Sequence, residues 1–447
     1  MRKKIKFRAP IFYKFLYAYV SVLHRLYYRR LTIIGYDKIP LNTPVIFAVN
    51  HQNALMDALA VLFAAHKPVV FMARADIFKK PFVAKILNML KILPIYRIRD
   101  GYGELNRNQE VFEDTIGVLK SNVPICILPE GNHEGLKRLR PLKKGIFRIA
   151  FQAEESTQFK LNLHIVPIGL DYSDYFNAGS DLMIVYGNPI KIADYAEQYR
   201  ENEQRTINTL MNVLAENMRS VMIHIPEVNY KLTYQISEIY EPNVWNTCNN
   251  NRHPYNKLTI RQYIVSKIIE AFAKFPEKVP EIEKALRSYN YKLSKFGLSD
   301  CFLAQKPNLL FLILEIILSI VLLPFHFYGM ILNYLPYKIP IWLAAKIKDP
   351  HFKSSIQFGI SLFLLPVYYI ILISVFCLLN DSTLIRLIFG FSLPATGLFA
   401  FYNYKRMENL WKKLKVFTLR ITKSELYNSI MKDRNQVIEV IKTTINS

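Results

Sequence analysis

His51 sits in the stretch Asn50-His51-Gln52-Asn53-Ala54-Leu55-Met56-Asp57, between a strand-like run, Pro44 to Val49, and a helix-like run, Ala54 to Ala65. Imidazole is the side chain best suited to taking a proton near neutral pH. A carboxylate six positions on can fix its tautomer and raise its basicity. The pair His51 and Asp57 therefore has the composition of a general base with its orienting acid. The same eight residues also read as a capped helix start, since Asn is a good N-cap.

Further along, Leu128-Pro129-Glu130-Gly131-Asn132-His133 follows a strand-like run, Ile125 to Leu128. It falls at a strand's carboxyl end, where α/β sheets place ligands. Gly131 lets backbone approach a ligand closely. Glu130 can accept hydrogen bonds from a polyol, orient the histidine, or stand as a solvated turn residue. In Leu93-Pro94-Ile95-Tyr96-Arg97-Ile98-Arg99 two arginines alternate on a strand-like run. A guanidinium suits bidentate phosphate recognition, and two solvated arginines on an edge strand fit as well. Ile165-Val166-Pro167-Ile168-Gly169 reads as a strand ended by a glycine.

The elements that position these residues alternate over 31–190. Strand candidates are Pro44–Val49, Val69–Ala73, Ile125–Pro129, Leu163–Ile168 and Met183–Tyr186. Helical stretches are Ala54–Ala65, Pro81–Leu90, Glu104–Leu119 and Leu142–Glu155. That alternation is an α/β domain with a central sheet. Residues 191–307 read as a helical region. Residues 308–404 are membrane-like: an apolar stretch at 309–345 broken by Pro324, and candidate spans at 356–379 and 384–404 joined by the polar turn Asn380-Asp381-Ser382-Thr383. Basic residues flank every segment end except that turn. By the positive-inside tendency an even number of crossings is expected, so 309–345 enters and returns, bending near Pro324 or Pro336. Residues 405–447 read as a basic cytoplasmic tail. Residues 1–30, basic and then apolar with no small-residue cleavage site, read as an interfacial amphipathic helix.

The chain has 447 residues, 51% of them hydrophobic, with Lys+Arg 58 against Asp+Glu 35, a formal charge of +23. The lysines lie beside apolar, aromatic segments, which favours an anionic membrane surface over nucleic acid. No nucleic-acid-binding signature accompanies them. The cysteines Cys126, Cys248, Cys301 and Cys377 form no CxxC pair and fit neither a disulfide framework nor a zinc site. No Gly-x-Ser-x-Gly elbow is present, which argues against a serine hydrolase.

Taken in order, these blocks resemble the glycerophosphate acyltransferase family, the glycerol-3-phosphate and 1-acylglycerol-3-phosphate O-acyltransferases. The resemblance covers roughly residues 40 to 190 and includes Leu142-Lys143-Lys144-Gly145. It implies an α/β acyltransferase domain with a central mixed sheet flanked by helices, followed here by a helical region and a C-terminal transmembrane helical hairpin. It implies transfer of a fatty acyl group from acyl-CoA or acyl carrier protein to glycerol 3-phosphate or dihydroxyacetone phosphate, without metal or cofactor. His51 and Asp57 are then catalytic. Arg97, Glu130, Gly131, Asn132, Lys144 and Pro167 are then substrate-binding, with the bilayer as partner and no nucleic acid. The free N–H groups at the start of the helix after His51 are expected to stabilise an oxyanion. The expected location is an integral membrane protein of the bacterial inner membrane, its catalytic domain on the cytoplasmic face.

Two departures carry information. His51 and Asp57 are separated by five residues where the family usually has four, which resembles the branch with C-terminal membrane segments; Asp349-Pro350-His351-Phe352 resembles that branch too. Asn132-His133 stands where Thr-Arg is usual, leaving Arg138 or Arg140 to contact phosphate. The alternatives are the second acylation step, with 1-acylglycerol 3-phosphate as acceptor, an inactive membrane scaffold, and a membrane-tethered nucleic-acid binder.

Overall fold

A computed structural model describes residues 11–65, 67–78, 81, 91–95, 102–247, 254–305 and 308–446. The chain divides into two compact units. The first comprises residues 1–224 with 344–358, the second 225–343 with 359–447.

The first unit is built on an eight-stranded mixed sheet in the order β1-β7-β6-β2-β5-β3-β4, with β8 paired to β6. The strands are β1 Arg30–Ile34, β2 Val45–Val49, β3 Val70–Arg74, β4 Ile92–Ile95, β5 Ile125–Ile127, β6 His164–Tyr172, β7 Asp181–Tyr186 and β8 Ile190–Lys191. Strands β2 to β6 run parallel to one another, β7 and β8 run antiparallel to β6, and β1 runs parallel to β7. Every residue of β2, Val-Ile-Phe-Ala-Val, is buried, as expected for a parallel strand covered on both faces. The helix Gly145–Glu155 presents Ile146, Phe147, Ile149, Ala150 and Phe151 to the sheet, and the helix Glu203–Ser220 adds Ile207, Leu210, Leu214 and Met218 to the same core.

The strand runs read from sequence are present, with two differences. β1 and β8 were not anticipated: β1 begins at Arg30, where the stretch read as an amphipathic helix ends, and β8 has only two residues. The run around Pro167 does not end at Gly169: β6 continues to Tyr172. Gly169 lies inside the strand because the backbone of Val221 crosses it so closely that a Cβ there would stand 2.0 Å from the Val221 carbonyl oxygen. The helix expected over Pro81–Leu90 falls outside the described residues beyond Pro81.

The amphipathic helix is α1, Ile11–Tyr27. It buries Tyr13 and His24, while Ile11, Phe15, Val22 and Leu26 are exposed along one face with Lys14 and Arg25 beside them. His24 is held against the rings of Tyr28, Phe63 and Phe358 at 5.1, 5.1 and 6.2 Å. Burial drives its pKa down to about 3. The fold therefore holds the neutral ring. The stability tied to this is fully present above the unfolded value near 6.5 and is lost as pH falls from there toward 3. At pH 5 it amounts to a loss of about 2 kcal/mol relative to pH 7. Thermal unfolding of wild type and His24→Phe at both pH values should show the variant losing less on acidification by that amount; parallel losses would rule this assignment out.

The second unit is helical. Its core joins Leu232, Ile236, Ile264, Ile268, Ile282 and Leu286 to Val416, Ile430, Val437 and Ile441. Residues 405–446, which the sequence presents as a tail, are thus helical and packed: one helix spans Thr383–Thr422 and the next Ser424–Asn446. Buried Arg434 donates to Asp300, which also accepts from Tyr289 Oη at 2.7 Å. Two helices, Pro350–Leu379 with its short lead-in and Thr383–Thr422, are long and apolar enough to cross a membrane. The pair Leu309–Val321 and Leu323–Ala345 is bent by 55°. The bend falls at Leu322, next to Pro324. Glu315 of that first helix is paired with Lys413 at 2.7 Å, so the carboxylate does not stand alone in an apolar stretch.

Candidate active site

The sheet order places β5, β2 and β6 side by side, so the loops leaving their carboxyl ends meet. His51 follows β2, Glu130 follows β5, and Tyr172 ends β6. Asn50 pins the first loop to β6 by a reciprocal pair, donating to the Leu170 carbonyl at 3.0 Å and accepting from the Leu170 N–H at 2.7 Å.

Asp57 lies one turn into α2, Ala54–Ala64, and is fully buried. Helical side chains lean toward the N-terminus, so its carboxylate reaches back over the turn. Oδ2 lies 2.9 Å from His51 Nδ1 and accepts the N–H groups of Gln52 at 2.8 Å and Asn53 at 2.7 Å. Oδ1 accepts the Tyr172 hydroxyl at 2.7 Å. The longer spacing is thereby explained: the extra residue belongs to the turn whose two N–H groups bind the same oxygen as the imidazole. Asp57 fixes Nδ1 as the protonated nitrogen. Nε2 of His51, on a side chain 17% exposed, is left as the basic one. Burial and the Asp57 charge push the Tyr172 hydroxyl well up, so it remains a donor.

The expected oxyanion role for the helix N-terminus does not fit this geometry. The Gln52 and Asn53 N–H groups are committed to Asp57, and the Leu55 N–H is bonded to Ser355 Oγ at 3.1 Å. Asn53 is the N-cap by position, yet its side chain makes no capping bond. Its amide instead donates to the Tyr175 carbonyl at 3.1 Å and accepts from Ser354 Oγ at 2.5 Å. Between Asn53 and Leu55, Ala54 has φ +44°, a left-handed conformation that costs a residue with a Cβ roughly 1–2 kcal/mol.

Glu130 is buried, and burial pushes its carboxyl up to about 7 despite two backbone bonds that favour the charge. One oxygen accepts the His51 N–H at 2.8 Å, the other the Arg140 N–H at 3.0 Å. It ties the histidine loop to the loop after β5, which fits the orienting role and not that of a solvated turn residue. Gly131 holds φ +73° where that loop turns away, and Asn132 is exposed beside it. His133 stands edge-on to His51 with ring centres 5.2 Å apart. Burial and the neighbouring His51 lower its pKa. Arg138 and Arg140 face Glu134 at 2.9 and 3.9 Å. Lys144 precedes the helix Gly145–Glu155 and is half-buried. Pro167 is buried in β6, so close to Gly187 that a Cβ there would meet its ring at 2.8 Å. Arg97 lies outside the described residues.

Residues that the sequence reading did not single out complete the site. Lys137 is buried and joins the loop after β5 to the end of β6, bonding Asp171 and, at 2.9 Å, the Tyr172 carbonyl. Tyr175 donates to the Gln52 side chain at 2.9 Å. Nothing local pointed to Ser354 or Ser355, which lie some 300 positions away in sequence.

Residues 30–171 match the Acyltransferase family model. Over 203 residues the chain is 25% identical to glycerol-3-phosphate O-acyltransferase 2 of Saccharomyces cerevisiae, covering 44% of this chain and 26% of that protein. It is 24% identical over 191 residues to the chloroplastic 1-acyl-sn-glycerol-3-phosphate acyltransferase BAT2 of Brassica napus, covering 42% of this chain and 51% of that one. The crystal structure of the 1-acyl-sn-glycerophosphate acyltransferase PlsC from Thermotoga maritima superposes with a TM-score of 0.33 and 17% identity, over 46% of this chain and 79% of that chain. This chain thus spans between a quarter and a half of the length of these two curated relatives.

Proposed function

We propose that this protein, whose residues 30–171 match the Acyltransferase family model and which is similar to glycerophosphate acyltransferases, transfers a fatty acyl group from an acyl thioester, acyl-CoA or acyl carrier protein, to a hydroxyl of glycerol 3-phosphate or dihydroxyacetone phosphate. The observation that carries this reading is the buried Asp57 fixed on His51 Nδ1, which leaves Nε2 as the basic nitrogen of a histidine whose backbone N–H is held by Glu130 and whose ring has His133 edge-on to it. His51 Nε2 takes the proton of the acceptor hydroxyl as its oxygen bonds to the thioester carbonyl carbon. The tetrahedral adduct then collapses, the C–S bond breaks, and the leaving thiolate takes the proton from the imidazolium. No covalent acyl-enzyme and no metal or organic cofactor enters the sequence. Arg97 is assigned to the acceptor phosphate, and Arg140 and Lys144, on the segment after β5, are further basic groups open to it.

A bilayer is the natural partner, because the donor chain and the product are lipids. The exposed apolar face of α1, with Lys14 and Arg25 along it, supports an interfacial seat. The Pro350–Leu379 and Thr383–Thr422 helices support two crossings. In this reading 309–345 enters and returns at its bend, and the catalytic unit lies on the cytoplasmic face of a bacterial inner membrane.

The second reading, 1-acylglycerol 3-phosphate as acceptor, is favoured by the similarity to the Brassica napus protein. Purified protein in nanodiscs, given a labelled acyl-CoA and each acceptor in turn, separates the two. The proposal expects lysophosphatidic acid from glycerol 3-phosphate as the faster product. Faster phosphatidic acid formation from the acylated acceptor would move the assignment to the second step, and no acyl ester with any acceptor or donor would sink the reading.

A further inference from the structure

Within the first unit, the segment 344–358 lies against the turn that carries the catalytic pair. Ser354, 1% exposed, donates to Asn53 Oδ1 at 2.5 Å, and Ser355, 6% exposed, accepts the Leu55 N–H at 3.1 Å. Ala54, the residue between those two partners, is the one held at φ +44°. A non-glycine residue keeps such a conformation only where its surroundings over-determine it. The two hydroxyls grip the turn on either side of the strained residue. On the other side of Asn53, the N–H groups of Gln52 and Asn53 hold Asp57. The segment is itself fixed at the site: Asp349 accepts the His351 N–H at 3.0 Å, and the Phe352 ring stands 4.5 Å from His133. Gly135 packs so closely here that a Cβ would meet His351 at 2.8 Å.

We propose that Ser354 and Ser355 are positioning residues for the His51–Asp57 pair, acting as a clamp that keeps Ala54 left-handed. The serines' hydrogen bonds to this turn go to Asn53 and Leu55 and not to the pair itself. They act through the backbone of 53–55, and that backbone aims the N–H groups that orient the carboxylate. Were the clamp released, Ala54 would relax toward the right-handed helical region. The Gln52 and Asn53 N–H groups would then turn away from Asp57, and the imidazole would lose its fixed tautomer and direction. Ordinary packing of a distant segment would instead give a loss of stability with the turn's chemistry intact. The catalytic consequence rests on the acyltransfer reading; the clamp itself does not.

The test is a rescue experiment on the full chain in nanodiscs. Ser354→Ala/Ser355→Ala should lower kcat for acyl transfer from acyl-CoA to glycerol 3-phosphate by about 10- to 100-fold with KM little changed, the scale of a small misplacement at a reacting group. Amide hydrogen exchange at Gln52 and Asn53 should rise by about tenfold or more as the turn opens. Ala54→Gly in the same background should restore both, since glycine adopts positive φ without a clamp. Unchanged exchange in the double variant overturns the clamp. Faster exchange with unchanged kcat overturns its role in positioning, and failure of Ala54→Gly to restore either readout overturns strain as the link. Should the wild type form no acyl ester, the functional reading fails, and the exchange and its reversal by glycine still decide the clamp.

Discussion

His51→Ala should lower kcat for acyl transfer by about 10³-fold while leaving the fold intact, the scale of losing a positioned general base. The imidazole is partly exposed, and Nδ1 bonds only to Asp57 among the described residues. Its removal therefore opens no core cavity. The loop keeps its place because the backbone holds it: the His51 N–H is bonded to Glu130, and Asn50 is locked to Leu170 in both directions. KM for the acceptor should change little, because the phosphate is assigned to basic groups on other loops. Steady-state kinetics with both substrates saturating, beside a thermal melt of the same preparations, checks this. A variant that keeps its Tm and loses less than about tenfold in kcat would remove His51 from the role of base.

Much of this site was legible because its chemistry is local. His51 and Asp57 lie on one turn and one helical rise, so sequence spacing alone limits how far apart they can be. The strands of the sheet centre are short apolar runs bounded by turn residues, and each of the five anticipated runs overlaps an observed strand. What was not legible depends on tertiary pairing. By sequence Glu130 can accept from a polyol or orient the histidine, and only the tertiary structure puts its two oxygens on backbone N–H groups of two different loops. The free N–H groups expected at the start of α2 are occupied by a carboxylate one turn inside the helix and by a hydroxyl 300 residues distant. Ser354 and Ser355 begin a long apolar helix, where a serine pair reads as a helix start and nothing more. No periodicity reports that the chain returns to its first unit there.

Asp57→Asn separates the charge of the catalytic pair from its scaffolding, and the geometry dictates how. Oδ2 faces three groups, His51 Nδ1 and the N–H groups of Gln52 and Asn53, and the backbone pair can only donate. An amide NH2 placed there would oppose two donors. Oδ1 accepts, among the described residues, only the Tyr172 hydroxyl, which can rotate to accept. The asparagine must therefore sit with its oxygen on the histidine side. It keeps Nδ1 as the protonated nitrogen, so the variant loses the negative charge without acquiring the wrong tautomer. A unit charge at about 4 Å is worth on the order of 4 kcal/mol near a protein surface, and part of it is recovered by the amide dipole, so kcat should fall by about 10²- to 10³-fold with KM nearly unchanged. Asp57→Ala differs in kind. It leaves the Gln52 and Asn53 N–H groups buried without an acceptor, at about 1–3 kcal/mol each, so it should lower Tm as well as kcat. Measuring both variants side by side makes the contrast the test. Equal Tm for the two would deny Asp57 its hold on the turn, and wild-type kcat in Asp57→Asn would deny it any electrostatic part in the reaction.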